Sequence, residues 1–206
     1  MDRKISIVSA LLGFVVCTMA QASEPKNYTI DGSHSNVGFT TRHLFSRVNG
    51  EFNDIDGQFT FSLDDLKAAN VVASVKVVSI NTKDKKRDQH LKSDDFFGAG
   101  KFPTIQFKSA ELTSHGDHKY KMAGELTMHG VTKPVVFDVD FLGESDDPWG
   151  GHRASFTAVT KLNRKDFGMN WNKTLDKGGV LVGDEVEVNI NIEGLQVKSG
   201  EKTKKM

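Results

Sequence analysis

Two sets of residues have types and spacing that could do chemistry: the run Arg87-Asp88-x-His90 and the seven histidines. On a helix Arg87 and His90, three apart, share a face, and Asp88 sits about 100° away. Such a trio suits proton transfer on a lipid-like substrate, contact with a ligand headgroup, or anchoring of a short helix through charge-assisted hydrogen bonds. The residue types favour anchoring, with a headgroup or lid role next. Among the histidines, His43 shares the strand parity of Val37 and Phe39, whereas His34 has the opposite parity. His115 and His118 flank a turn, and His129 and His152 have no obvious second ligand nearby in sequence. With one cysteine and no HExxH, no metal site is expected. A G-x-S-x-G elbow, a P-loop and a dinucleotide fingerprint are all missing, so neither enzyme nor cofactor is expected. Arg42, Arg47 and Arg164 are further candidates to meet an anionic headgroup.

The elements that would position these groups are strands. Val186, Val188, Ile190 and Ile192 alternate with Glu185, Glu187, Asn189, Asn191 and Glu193, which a strand sorts onto two faces and a helix would smear. The same period recovers Val37/Phe39/Thr41, Val48/Gly50/Phe52, Phe59/Phe61, Val71/Ala73/Val75/Val77 and Ile105/Phe107. It continues in Tyr120/Met122/Gly124/Leu126, Val135/Phe137/Val139/Phe141 and Ala154/Phe156/Ala158, for eight or nine strands in all. His115-Gly116-Asp117 and the run Gly143 to Gly151 read as turns, and Asn49-Gly50 as a turn or a bend within a strand. Pro134 sits near a strand start. Two short helices are predicted, one capped by Asp64 and one capped by Thr82 that runs from Lys83 to Leu91. Many antiparallel strands in one domain leave a sandwich or a closed barrel, and closure removes aggregation-prone edges.

The ends and the charge bound the setting. Arg3 and Lys4, an uncharged stretch from Ile5 to Met19 and the small-x-small Ala20-Gln21-Ala22 read as a secretory signal over residues 1–22, with maturation near Ser23. Cys17 lies inside that stretch behind Val16, which disfavours lipid attachment, and its removal leaves no thiol. Residues 23–206 then form one domain, with a polar Lys-rich tail from about 198. Its setting would be the periplasm, without an integral span. The 27 basic and 27 acidic side chains give no net field toward nucleic acid.

Several blocks in order resemble the YceI-like family, lipocalin-like periplasmic proteins associated with polyisoprenoid binding. They are Asp31-x-x-His34-Ser35 with Phe39 and His43, then Ser79-Ile80-Asn81-Thr82, Arg87-Asp88-x-His90-Leu91, Phe96-Phe97 and Phe102-Pro103. Gly124-Glu125-Leu126-Thr127-Met128-His129-Gly130, Arg164-x-x-Phe167-Gly168 and Val182-Gly183-Asp184 follow. Trp149-Gly150-Gly151 and Met169-Asn170-Trp171 fall outside these blocks. The resemblance implies an all-β fold: a single extended antiparallel eight-stranded lipocalin-like barrel with one or two short helices. It further implies a tunnel holding a polyisoprenoid, an isoprenoid quinone or a fatty amide, and a homodimer is compatible with it.

Physically, strands of about ten residues give a barrel depth of about 25 Å, enough for a straight chain of about 20 carbons. Each buried CH₂ contributes roughly 0.8 kcal/mol. The chain has 14 Phe against 2 Tyr and 2 Trp, and Phe offers apolar area without a polar atom to satisfy. Val37, Phe39, Phe52, Phe59, Phe61, Val75, Val77, Phe107, Leu126, Phe137, Phe141, Phe156, Val188 and Ile190 are the expected ligand contacts. From alternation alone a solid core is the stronger reading, and the resemblance favours the hollow one. The ligand-free alternative is a solid-core stress or interaction protein.

Overall fold

The computed structural model describes residues 24–175 and 179–198. The secretory signal expected over residues 1–22, its expected maturation point and most of the polar tail lie outside them. Eleven strand segments follow in order: β1 (Lys26–Ile30), β2 (Asn36–His43), β3 (Ser46–Phe52), β4 (Ile55–Phe61), β5 (Asn70–Lys76), β6 (Ile80–Asn81), β7 (Thr104–Ser114), β8 (Lys119–Met128), β9 (Val131–Asp146), β10 (His152–Asn163) and β11 (Val182–Gln196). One α-helix, α1 (Lys85–Lys92), stands between β6 and β7.

Pairing runs β1-β4-β5-β7-β8-β9-β10-β11, and β11 pairs back onto β1, so eight antiparallel strands close a barrel. The remaining segments prolong three of those positions. β11 meets β1 from Tyr28↔Gln196 to Ile30↔Gly194, then meets β2 from Asn36↔Asn191 to Val182↔His43. β3 prolongs the β4 position and β6 the β5 position. The break between β1 and β2 is stitched to β11, because Asp31 N–H donates to the Glu193 carbonyl and Ser35 Oγ accepts from Glu193 N–H. The count of eight or nine strands thus fits a ring of eight positions, but β1 and the two-residue β6 escaped it.

Alternation drives the burial. In β8 Tyr120, Met122, Gly124, Leu126 and Met128 are buried, and in β9 Val135, Phe137, Val139 and Phe141 are buried between exposed neighbours. Side chains of one parity enter the barrel and the others face water, as the period of two requires.

Several local expectations need correction. β5 ends at Lys76, and Val77–Ser79 form a 3₁₀ turn, so Val77 leaves the inward row. Its N–H donates to the Pro103 carbonyl. Asp65 rather than Asp64 caps the turn Leu66–Ala68, accepting from Lys67 N–H. Asp84 caps α1, accepting from the N–H groups of Lys86 and Arg87, which leaves Thr82 in another role. Gly143 belongs to β9, where the register with β10 shifts, so the turn is confined to the stretch after Asp146. Asn49 and Gly50 are mid-strand in β3. A Cβ on Gly50 would lie 2.3 Å from the Phe39 ring, so glycine there makes room for an aromatic side chain crossing the sheet.

Candidate functional site

The barrel encloses a cavity of about 620 Å³. Val37, Phe39, Phe52, Phe59, Phe61, Val75, Phe107, Leu126, Phe137, Phe156, Val188 and Ile190 line it, each placed there by strand parity. Two residues expected with them do not. Val77 is buried in its 3₁₀ turn. Phe141 packs behind the wall, its ring centroid 5.1 Å from both Phe61 and Phe156. The interior is therefore hollow, which excludes the solid-core reading of the same Phe rows. Ile30, Leu112, Met122, Met128, Leu162 and Trp171 also line the cavity and were not singled out from sequence. Met122 could have been found from its own alternating row. Trp171 follows no periodic element and gave no such signal.

The end where β9 turns into β10 is crowded by rings. Phe61 meets Phe156 at 4.9 Å and Tyr120 at 6.0 Å, and Tyr28 stacks on Phe59 at 4.8 Å. Beyond these rings lies a polar network. The fully buried Tyr28 donates its OH to Glu144 at 2.9 Å, and Lys26 and His152 pair with the same carboxylate. Burial first, and the Glu144 carboxylate second, push the Tyr28 phenol well above its ordinary range. Burial works hardest to raise Glu144, but hydrogen bonds from Lys26, Tyr28 and His152 outweigh it and hold that carboxyl below its usual value.

Arg153 ties this end together. Its Nη1 donates to Asp31 at 2.8 Å and to Glu193 at 2.7 Å, and its Nε donates to Asp147 at 2.8 Å. Hydrogen bonds from Ser33 and then Arg153 hold Asp31 well below the usual carboxylate range. Asp31, His34 and Glu193 bring possible metal-ligating atoms within 4.8 Å of one another. A guanidinium already bridges both carboxylates, which would oppose a second cation there.

The opposite end is built differently. Among the described residues β6 pairs with β3 and forms no ladder with β7, and α1 packs beside β6 at this end. Thr82, buried just after β6, is held from both sides. Its N–H and Oγ1 both donate to Asp88 Oδ1, at 2.8 and 2.6 Å. Arg87 donates from Nε to Thr82 Oγ1 and from Nη2 to the Thr82 carbonyl, each at 2.8 Å. Arg87 and Asp88 thus clamp the helix to the barrel, as charge-assisted hydrogen bonds do.

His90 bonds Asp95 at 2.9 Å and meets the rings of Phe96 and Trp171 edge-on. Arg87 and His90 line the cavity whereas Asp88 does not, so the trio faces two ways. Lys86 and His43 line it as well. Of the arginines considered for a headgroup, Arg47 pairs with Glu187 and Arg42 donates to the Leu44 carbonyl. Arg164 is buried and donates to the carbonyls of Gly183, Met169 and Trp171 and to Asp184.

Fold and interior together define a hollow calyx, an eight-stranded antiparallel barrel around one apolar cavity. Comparison with known proteins agrees. The family model of the YceI-like domain matches residues 28–194. A UPF0312 protein of Photorhabdus laumondii is 40% identical over 182 residues, covering 87% of this chain and 91% of the relative. The Campylobacter jejuni YCEI protein superposes with a TM-score of 0.66 at 30% identity, over 76% of this chain and 90% of that one. A polyisoprenoid binding domain from Saccharophagus degradans shares the fold, with a TM-score of 0.64 at 14% identity over 82% of this chain and 98% of that one. The chain belongs to the YceI-like family. Among the described residues no helix is long and apolar enough to cross a membrane.

Proposed function

We propose that this protein is a periplasmic carrier that holds a long apolar amphiphile, of the polyisoprenoid, isoprenoid-quinone or fatty-amide type, inside its barrel. The observation that carries the reading is the cavity of about 620 Å³ walled mainly by Phe, Val, Ile, Leu and Met. A cavity of ~150 Å³ admits one benzene, so this volume accommodates roughly 25 carbon atoms. Pockets that bind small organic ligands run from about 300 to 1,000 Å³, which brackets it. Burying a chain of that size is worth roughly 0.8 kcal/mol per CH₂, enough to exceed an association cost on the order of 10 kcal/mol. The fold shared with a domain described as polyisoprenoid binding supports the same class of ligand. Residues 1–22, read as a secretory signal, supply the compartment.

A carrier role fits the trio on α1 better than catalysis does, because Asp88 and two nitrogens of Arg87 are occupied by Thr82. Protein purified from its native compartment and extracted with organic solvent should release one lipid per chain in mass spectrometry. Absence of any co-purifying lipid, together with no uptake of a prenyl quinone or fatty amide by the extracted protein, would remove the reading.

A further inference from the structure

The apolar wall concerns the ligand's tail; the ionisable groups along it concern its head. Among the described residues lining the cavity there is no aspartate or glutamate. The groups that carry or can accept positive charge are His43, Lys86, Arg87, His90 and Arg164. All lie at the α1 end: His43 closes β2, Lys86, Arg87 and His90 sit on α1, and Arg164 follows β10. Two of them have an acidic partner, since Arg164 meets Asp184 and His90 meets Asp95. His43, Lys86 and Arg87 form no ion pair among the described residues, and Arg87 commits only Nε and Nη2 to Thr82. Asp84, the cap of α1, feels the charges of Lys86 and Arg87 but does not line the cavity, so only the cationic side chains face the interior. Next to a low-dielectric wall such cations attract an anion far more strongly than they would in water.

We propose that this mouth selects an amphiphile with an anionic oxyacid head, a phosphate or a carboxylate, over an uncharged lipid of the same chain. The tail would lie along the Phe-lined interior and the head would sit between His43 and Lys86, with Arg87 behind them. The proposal rests on the carrier reading and narrows its ligand to those bearing negative charge.

Delipidated protein is titrated at low salt with two matched pairs, geranylgeranyl phosphate against geranylgeraniol and palmitate against hexadecanol. The anionic member of at least one pair should bind about tenfold more tightly, and which pair responds identifies the head as phosphate or carboxylate. The advantage should shrink at about 0.5 M sodium chloride, where charges are screened within a few ångströms. In the double variant His43→Gln/Lys86→Gln the ratio should fall below about threefold, whereas Lys108→Gln on the outer face should retain it. Equal affinity within both pairs, or a preference unchanged in the double variant, overturns the anionic head while leaving a lipid carrier. Failure of all four lipids to bind overturns both.

Discussion

Burial leaves the Arg164 guanidinium dependent on three backbone carbonyls and Asp184, and those carbonyls equally dependent on it. Arg164→Ala should therefore cost about 3 kcal/mol in urea unfolding, through orphaned buried acceptors as well as lost packing. Arg164→Lys should restore little of it, because a single ammonium cannot span the same fork. The opposite end makes a pH prediction. Asp31, Glu144 and Asp147 are all held below their ordinary range, the first and last mainly by hydrogen bonds and Glu144 by bonds that overcome burial. Carboxyls with a depressed folded-state value stabilise the protein above their unfolded value near 4, and that stabilisation is lost as pH falls below it. The thermal midpoint should hold level from about pH 7 to 5 and fall below about pH 4. Arg153→Gln should flatten that fall by releasing Asp31 and Asp147. A midpoint that declined equally steeply in the variant would contradict the role given to Arg153.

At the scale of elements, the long ladders hold the barrel and α1 is attached by a few polar contacts. Asp88→Ala strips the buried Thr82 of its acceptor, and should accelerate amide exchange through β6 and α1 while β8 and β9 keep their protection. Uniform loss of protection would show that the clamp supports the whole barrel. These elements also show what a single sequence discloses. β8, β9 and β11 were legible because each shows a row of four alternating residues, and β10 because Ala154, Phe156 and Ala158 keep the same period. β1 was not, since Lys26–Ile30 is short and contributes only Tyr28 and Ile30 inward. β6 has two residues and no period at all. The misplacement of Val77 has the same origin: its parity continues the β5 row, but the chain turns into a 3₁₀ segment that alternation does not foresee. Capping residues were displaced to Asp65 and Asp84 because several side chains near each turn had suitable chemistry.

At the scale of the molecule, the outstanding quantity is empty space, and no pattern of residue types states whether a Phe-rich interior is filled. Most of the wall was legible from parity, from Val37 on β2 to Ile190 on β11. The hollow itself depends on how eight strands set the radius relative to the side chains, a property of closure rather than of any one strand. The polar cluster of Lys26, Tyr28, Glu144 and His152 was likewise hidden, since its members come together only when β1 closes the ring. Ala73 and Ala158 face the cavity from β5 and β10, and large side chains there would occupy the volume assigned to ligand.

Titration of delipidated wild type and of the Ala73→Trp/Ala158→Trp variant with a fluorescent long-chain lipid therefore tests the interior directly. Wild type should saturate at one lipid per chain, and the filled variant, with its circular dichroism and cooperative melting intact, should lose at least about tenfold in affinity. Equal uptake by both proteins would place the lipid on the outer surface and contradict a ligand held within the barrel.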